Sequence, residues 1–280
     1  MATTLSILFL LLMMVYAAAF HAAIVEADFR FSYAQADKTL PSNLVLLNNA
    51  SFKSDGTVWL TPNPNEQQSS QMGLRAGWLL YDVSFPWDTN ITSFITSFEF
   101  PVITLANKEG YGGEGMAFFI SLHNTVPNHN DGIMLGLTSN DTYSVTDPSH
   151  HLFFFKFDTF QNTLLNDPNR NHTGIDINSL TSDVTFYFTT SSLCLDVGHY
   201  KNSSFMVWVD YFAALVEVWM VKTNHMKSDT ILSLLADPLL NVTYDLSTVF
   251  FDSPPLFVVL SATTSESYQC CAIFAFHTLS

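Results

Sequence analysis

The sequence predicts an all-β protein, a sandwich or jelly roll, on three observations. Short runs rich in Phe, Val, Ile and Thr recur between turn residues along most of the chain. Helical periodicity is scarce: residues 231–240 are the one ambiguous stretch, and Pro238 cuts it short. The chain also carries 25 Phe against only 12% charged residues, a balance that calls for a thick apolar interior rather than a disordered chain. Many strands with polar turns, in one domain of this size, make a sandwich or jelly roll.

The elements follow in chain order. Residues 5–20 are an almost unbroken apolar run followed by small residues, the pattern of a secretory signal peptide, although no Lys or Arg precedes it. Cleavage after Ala27 is expected, with Ala23 as the second choice; this divides the chain into a leader, 1–27, and one domain, 28–280. No later run is long and apolar enough to span a bilayer as a helix. Residues 94–100 alternate, placing Phe94, Phe98 and Phe100 on one face. Residues 116–120 and 153–157 are continuous apolar runs that suit strands covered on both faces. Residues 184–188, 205–211, 216–220 and 256–260 complete the strand set.

Charge and small motifs narrow the class. The formal net charge of −15 excludes a nucleic-acid partner, because phosphate binding needs clustered Lys and Arg. Cys194 could pair with Cys270 or Cys271, leaving an odd thiol, or all three could be buried small hydrophobes; nothing in their spacing suggests metal. Secretion gives meaning to the Asn-x-Ser/Thr pattern at Asn49, Asn90, Asn140, Asn202 and Asn241, which are candidate glycan sites. A sixth match, Asn171, lies inside the loop discussed next and is expected to stay unmodified if metal binds there.

That loop, 157–172, holds the chemistry. Asp158 ends a very apolar strand, where a carboxylate is costly unless compensated. Asn162, Asp167 and His172 follow within one turn-rich segment. Hard cations such as Ca²⁺ take six to eight oxygens from carboxylates, amides and backbone carbonyls. Asp158, Asn162 and Asp167 supply those types and Phe160 could add its carbonyl, whereas the His172 nitrogen suits Mn²⁺ or Zn²⁺. On ligand types alone, an ordinary Asn/Asp-rich turn is the competing reading.

Read together with residues 174–179, this stretch resembles the signature of the legume-type (L-type) lectins. Residues 29–31 are similar to that family's opening strand, 113–119 to its sugar-loop strand, 135–137 to the next loop, and 260–264 to its last long strand. The resemblance implies a concanavalin-type jelly-roll sandwich of two large antiparallel sheets, six-stranded at the back and seven-stranded at the front. It implies Ca²⁺ and Mn²⁺ side by side beneath a sugar site. Asp158 and Asp167 would bridge both ions, Asn162 and the Phe160 carbonyl would complete the Ca²⁺ set, and His172 would hold Mn²⁺. Asn162, Phe160, Glu114 and Gly132 would meet the sugar. Glycans or glycoproteins are then the expected partners, with a homodimer or homotetramer as the expected assembly. The location implied is extracellular or apoplastic, with vacuolar storage as an alternative.

Three positions depart from that pattern. Lys156 stands where the family has a Glu that binds Mn²⁺, two residues before Asp158 and on the same strand face. A unit positive charge about 4 Å from a divalent ion costs roughly 8 kcal/mol at an effective dielectric of 20, and about 2 in water. Either Lys156 snorkels away or Mn²⁺ is lost or badly weakened, and Ca²⁺ shares two ligands with that site. Glu114 stands where the family has an Asp preceded by a cis peptide; the extra methylene could carry the carboxylate past the sugar or leave it a solvated loop acid. Gly132 falls one position earlier than the family's loop glycine. These departures keep open a degenerate lectin-fold interaction or storage protein that has lost sugar binding. A glycosidase needs two carboxylates about 5–10 Å apart, and no such pair stands out, so no enzyme is expected. The outer domain of a receptor kinase meets the objection that neither a span nor a kinase follows residue 280, and a truncated relative of such a kinase stays open.

Overall fold

The computed structural model describes residues 31–62, 75–87, 93–104, 113–139, 151–188, 195, 204–223, 237–251, 255–264, 269–273 and 275–279. It contains sixteen strands and, among the described residues, no α-helix. In chain order they are β1 (Phe31–Ala34), β2 (Leu44–Asn48), β3 (Ser51–Phe52), β4 (Val58–Trp59), β5 (Arg75–Pro86), β6 (Ser93–Thr104), β7 (Gly115–Ser121), β8 (Phe153–Asp158), β9 (His172–Ile177), β10 (Val184–Tyr187), β11 (Ser204–Phe212), β12 (Leu215–Thr223), β13 (Leu240–Thr243), β14 (Pro255–Thr264), β15 (Gln269–Ile273) and β16 (Ala275–Leu279).

The strands form two antiparallel sheets. The front sheet has seven, in the order β10-β9-β8-β7-β14-β5-β2. The back sheet has nine, β13-β12-β11-β6-β15-β4-β3 with β16 beside β6 and β1 beside β16, rather than the six expected. The excess of three arises because β15 and β16 pair with successive parts of β6 and count separately, and because the short pieces β3 and β4 pair with each other and β4 with β15. Of the residues quoted for the opening strand, only Phe31 is described, as the start of β1. Residue 240 of the ambiguous stretch begins a strand, β13, and 231–236 lie outside the described residues.

The alternation in β6 does what its pattern requires. Phe94, Phe98 and Phe100 turn into the sandwich: Phe98 meets Phe118 of β7 and Phe157 of β8 from the opposite sheet, Phe100 meets Phe157, and Phe94 stacks on Tyr211 of its own sheet. Phe98 stacks on Phe118 at 5.9 Å and meets Phe157 edge-on at 5.9 Å. Burying one such ring is worth roughly 1.5–3 kcal/mol, so this aromatic layer is a main adhesive of the two sheets.

β7 and β8 are buried along their whole length because each of their faces has its own core. Phe153, Phe155 and Phe157 point between the sheets. Phe154 points the other way, into a second cluster with Trp78, Leu80, Phe119, Val259 and loop residues that include Met134, Leu135, Leu165 and Leu180. Lys156 and Asp158 continue that second face by the period-2 rule. The candidate site therefore lies on the outer face of the front sheet, beneath loops that a second hydrophobic cluster holds down.

Candidate functional site

The frame of the site is set by two close backbone approaches. Gly115 pairs with Asp158 across β7 and β8, at a φ of +125°. A Cβ on Gly115 would stand 2.1 Å from the Phe157 carbonyl oxygen, so only glycine allows this contact. Just beyond, the Thr159 hydroxyl donates to the Gly113 carbonyl at 2.7 Å and the Thr159 N–H donates to the Glu114 carbonyl at 3.3 Å. The segments carrying Glu114 and Asp158 are thus tied together before any ligand arrives.

The 159–171 loop closes on itself. A 3₁₀ turn, Thr163–Leu165, ends at Asn166, whose φ of 58° suits a short polar side chain. Leu165 plugs into the second hydrophobic cluster and returns the chain to Asp167. The Asn162 N–H donates to Asp167 Oδ2 at 2.8 Å, and the Asp167 N–H donates to the Asn162 carbonyl at 3.3 Å. The Phe160 N–H donates to Asp158 Oδ1 at 2.9 Å. Each of the two aspartates therefore turns one oxygen toward the loop backbone.

Their other oxygens turn inward. His172 Nε2 lies 3.2 Å from Asp167 Oδ1 and 3.6 Å from Asp158 Oδ2. These three residues form the one group of metal-ligand type among the described residues. His172 Nδ1 lies 2.8 Å from the Asn169 carbonyl, an acceptor only, so Nδ1 donates and the ring is oriented with Nε2 toward the carboxylates.

Lys156 does not snorkel. It is 0% exposed, and its Nζ donates to Asp167 Oδ1 at 3.0 Å and to the Leu180 carbonyl at 3.2 Å, with Asp158 Oδ2 at 3.7 Å. The ammonium thus shares with His172 the two oxygens that a transition metal would need. Such a metal binds nitrogen and oxygen at about 2.0–2.2 Å. The inner pocket therefore does not fit a transition metal while Lys156 is there. The loop side differs, because there only neutral N–H groups approach Asp158 Oδ1 and Asp167 Oδ2. With the Asn162 amide oxygen and the Phe160 carbonyl, these oxygens match the donor chemistry of a hard cation.

A third buried carboxylate completes the cluster and had no assigned role on sequence grounds. Asp176 is 0% exposed, and neither of its oxygens has a hydrogen-bond partner of ordinary geometry. Its legible signal was register: His172, Gly174 and Asp176 share one face of β9, and β9 pairs residue by residue with β8 so that Lys156 faces Gly174. Gly174 leaves room there, since a Cβ would lie 2.1 Å from the Ser182 hydroxyl.

The electrostatics follow from burial. It pushes the Asp158 carboxyl up to about 7, with Lys156 and His172 opposing. It pushes Asp176 up to about 7 as well, again against Lys156. Burial also works on Asp167, but the His172 contact, Lys156 and the Asn162 N–H together hold it below its ordinary value. For Lys156 burial disfavours the ammonium, and Asp176, Asp158 and Asp167 outweigh it and raise the pKa. With every carboxyl ionised, three carboxylates face one ammonium, which leaves two formal negative charges in a dry site.

The remaining predicted residues converge on the same rim. Glu114 is 6% exposed, so it is not a solvated loop acid; Asn162 Nδ2 donates to its Oε2 at 2.7 Å. The peptide bond before it is trans, not the cis bond that the resemblance implies. Gly132, at a φ of 59°, opens a buried 3₁₀ turn, and its carbonyl accepts the Thr263 hydroxyl at 2.9 Å. Thr263 pairs with Gly115, which places the Gly132 turn beside Glu114. Phe160 is half-buried. Asn171 is buried: its Oδ1 accepts the Leu195 N–H at 2.9 Å. Asn49 and Asn241 are exposed, whereas Asn90, Asn140, Asn202, the three cysteines' side chains and residues 265–268 lie outside what is described.

The family profile of the legume lectin domain matches residues 28–277. This chain belongs to the legume lectin domain family. The putative L-type lectin-domain containing receptor kinase I.1 of Arabidopsis thaliana is 30% identical over 235 residues, covering 81% of the chain and 32% of that relative. Bark agglutinin I polypeptide B of Robinia pseudoacacia is 32% identical over 158 residues, covering 55% of the chain and 50% of that relative. The chain thus spans between a quarter and a third of the receptor kinases it matches, and about half of the agglutinin. Among solved structures, the metal-free form of lectin I-B4 from Griffonia simplicifolia superposes with a TM-score of 0.71 at 21% identity, covering 90% of the chain and 99% of that lectin. Lectin II from Ulex europaeus gives 0.66 at 22%, covering 90% and 97%. These structures share the jelly-roll sandwich, and the lectin domain here keeps it. No described helix is long and apolar enough to cross a membrane.

Proposed function

We propose that this lectin domain is a non-catalytic carbohydrate-binding module whose sugar loop is organised by one bound Ca²⁺, held by Asp158, Asp167, the Asn162 amide oxygen and the Phe160 carbonyl. The observation that carries the reading is the 2.7 Å bond from Asn162 Nδ2 to Glu114 Oε2. It joins residues 48 positions apart into one donor–acceptor pair at the rim, above the carboxylates. A sugar hydroxyl both donates and accepts; Glu114 offers acceptor lone pairs and the Asn162 amide has a second N–H. The longer Glu114 side chain is used to reach Asn162, and the half-buried Phe160 ring offers an apolar surface for a sugar face.

Ca²⁺ would supply the positive charge that the cluster lacks and fix Asn162 in advance, so that little conformational freedom is lost when sugar binds. Single sites would bind weakly and gain strength through multivalency. Secretion after removal of residues 1–27, with glycans at Asn49 and Asn241, belongs to the same reading. The competing reading is an interaction module without sugar binding, favoured by Lys156, which already satisfies Asp167.

A glycan array probed with the secreted protein, with and without chelator, separates the two. Signals that vanish on chelation and in Asn162→Ala are expected. Glycan signals indifferent to both changes, or no signal at all, would refute the calcium-organised sugar site.

A further inference from the structure

We infer that the Lys156 ammonium is a built-in substitute for the transition-metal ion, so that the loop is organised by Ca²⁺ alone and needs no Mn²⁺. The inference rests on the calcium reading above and concerns the neighbouring, inner half of the cluster.

Four observations carry it. First, position: the Nζ stands 3.0 Å from Asp167 Oδ1 and 3.7 Å from Asp158 Oδ2, the same two oxygens that His172 Nε2 approaches at 3.2 and 3.6 Å. The ammonium donates to Asp167 Oδ1 and to the Leu180 carbonyl at 3.2 Å, and Asp158 Oδ2 adds an ion-pair contact at 3.7 Å. Second, burial: the side chain is 0% exposed, held between β7 and β9 by the pairings of its backbone with Ala117 and Gly174. The Lys156 carbonyl also accepts the Thr173 hydroxyl at 2.7 Å, which fixes the strand at this residue.

Third, charge: Asp176 is fully buried beside the neutral Ser182 hydroxyl and adds a third carboxylate that a cation at Lys156 Nζ offsets. Buried charges persist only when paired, and removing one member of such a set leaves the others uncompensated. Fourth, orientation: because His172 Nδ1 donates to Asn169, Nε2 is held against the two carboxylates, an arrangement a shared cation makes tolerable. A tethered cation differs from a metal ion in one decisive way. Its capture is completed by folding and does not depend on ion concentration, so Asp158 and Asp167 are already drawn together when Ca²⁺ arrives.

The test is the metal content of the secreted, full-length chain after equilibration with Ca²⁺ and Mn²⁺ together, followed by removal of free ions. Wild type is expected to retain Ca²⁺ and no stoichiometric Mn²⁺, with Mn²⁺ affinity at least about 100-fold weaker than that of Lys156→Glu. Lys156→Glu is expected to take up Mn²⁺ stoichiometrically. Should that variant fail to fold, Lys156→Met removes the cation without adding charge. Mn²⁺ is then expected to raise its melting temperature by several degrees while leaving wild type unmoved. Stoichiometric Mn²⁺ in wild type, or no Mn²⁺ response in either variant, overturns the assignment. Wild type that takes neither ion, beside a variant that takes Mn²⁺, keeps the lysine assignment and fails the calcium site alone.

Discussion

Asp167→Asn isolates the interaction on which the cluster depends. In metal-free protein, Asp167 Oδ1 accepts from Lys156 at 3.0 Å and Oδ2 accepts from the Asn162 N–H at 2.8 Å. An amide keeps one acceptor oxygen and replaces the other by a donor. Whichever way it points, one of these contacts becomes donor against donor. If the lost contact is Lys156, a buried ammonium loses its nearest partner, which costs about 3–5 kcal/mol; if it is Asn162, an unsatisfied N–H costs about 1–3. The loss of the carboxylate charge beside Lys156 occurs in both cases, so about 3–4 kcal/mol is expected. With a urea slope of about 3 kcal/mol/M for a domain of this size, the midpoint should fall by roughly 1 M at unchanged slope. The assay is urea unfolding in chelator, followed by Trp fluorescence. A cycle with Lys156→Met should show a coupling of about 2 kcal/mol, because the two residues are in contact. A midpoint within about 0.3 M of wild type, or strict additivity in the cycle, would refute the argument.

Other outcomes follow from the same geometry. Gly115→Ala places a methyl 2.1 Å from the Phe157 carbonyl at a φ of +125°, and should destabilise the domain by about 3 kcal/mol or more by thermal melting. Burial raises Asp158 and Asp176 to about 7, so in metal-free protein the stability from their bound protons is complete below about 4 and is lost as pH rises through 7. Ca²⁺ competes with the proton on Asp158, and its affinity should accordingly climb between about pH 5 and 7 when followed by calorimetry. Glycopeptide mass spectrometry should find Asn171 unmodified, since its amide is buried and bonded to the Leu195 N–H, and should find glycan at Asn49 or Asn241.

Much of the fold was legible because strand physics leaves a mark on sequence. Phe94, Phe98 and Phe100 alternate and do face the core, and the continuous run 153–157 is covered on both sides. β2 and β5 escaped notice, although they pair in the front sheet and β5 runs for 12 residues. Gly77, inside β5, interrupts its pattern, and the reason for it is tertiary: a Cβ there would lie 1.9 Å from the Leu60 carbonyl. The nine-stranded back sheet was misjudged because pairing by pieces as short as β3 and β4 has no periodicity to read.

The site was legible as a set of residue types in one loop, but its inner half was not. Lys156 could be seen to oppose a metal; whether it turned outward depended on the second hydrophobic cluster, whose members come from β5, β7, β8, β14 and three loops. Asp176 needed the register of β9 on β8 to be recognised as part of the cluster. Glu114 and Asn162, 48 residues apart, meet through the Thr159 bonds to the Gly113 and Glu114 carbonyls, contacts that no local motif announces.

Calorimetric titration of Ca²⁺ into chelator-stripped, secreted protein tests the central claim most directly. One Ca²⁺ per chain, bound with release of protons near neutral pH and with no heat from Mn²⁺, is the expected result. The absence of a Ca²⁺ isotherm at millimolar ion, in protein shown to be folded, would contradict a calcium-organised site.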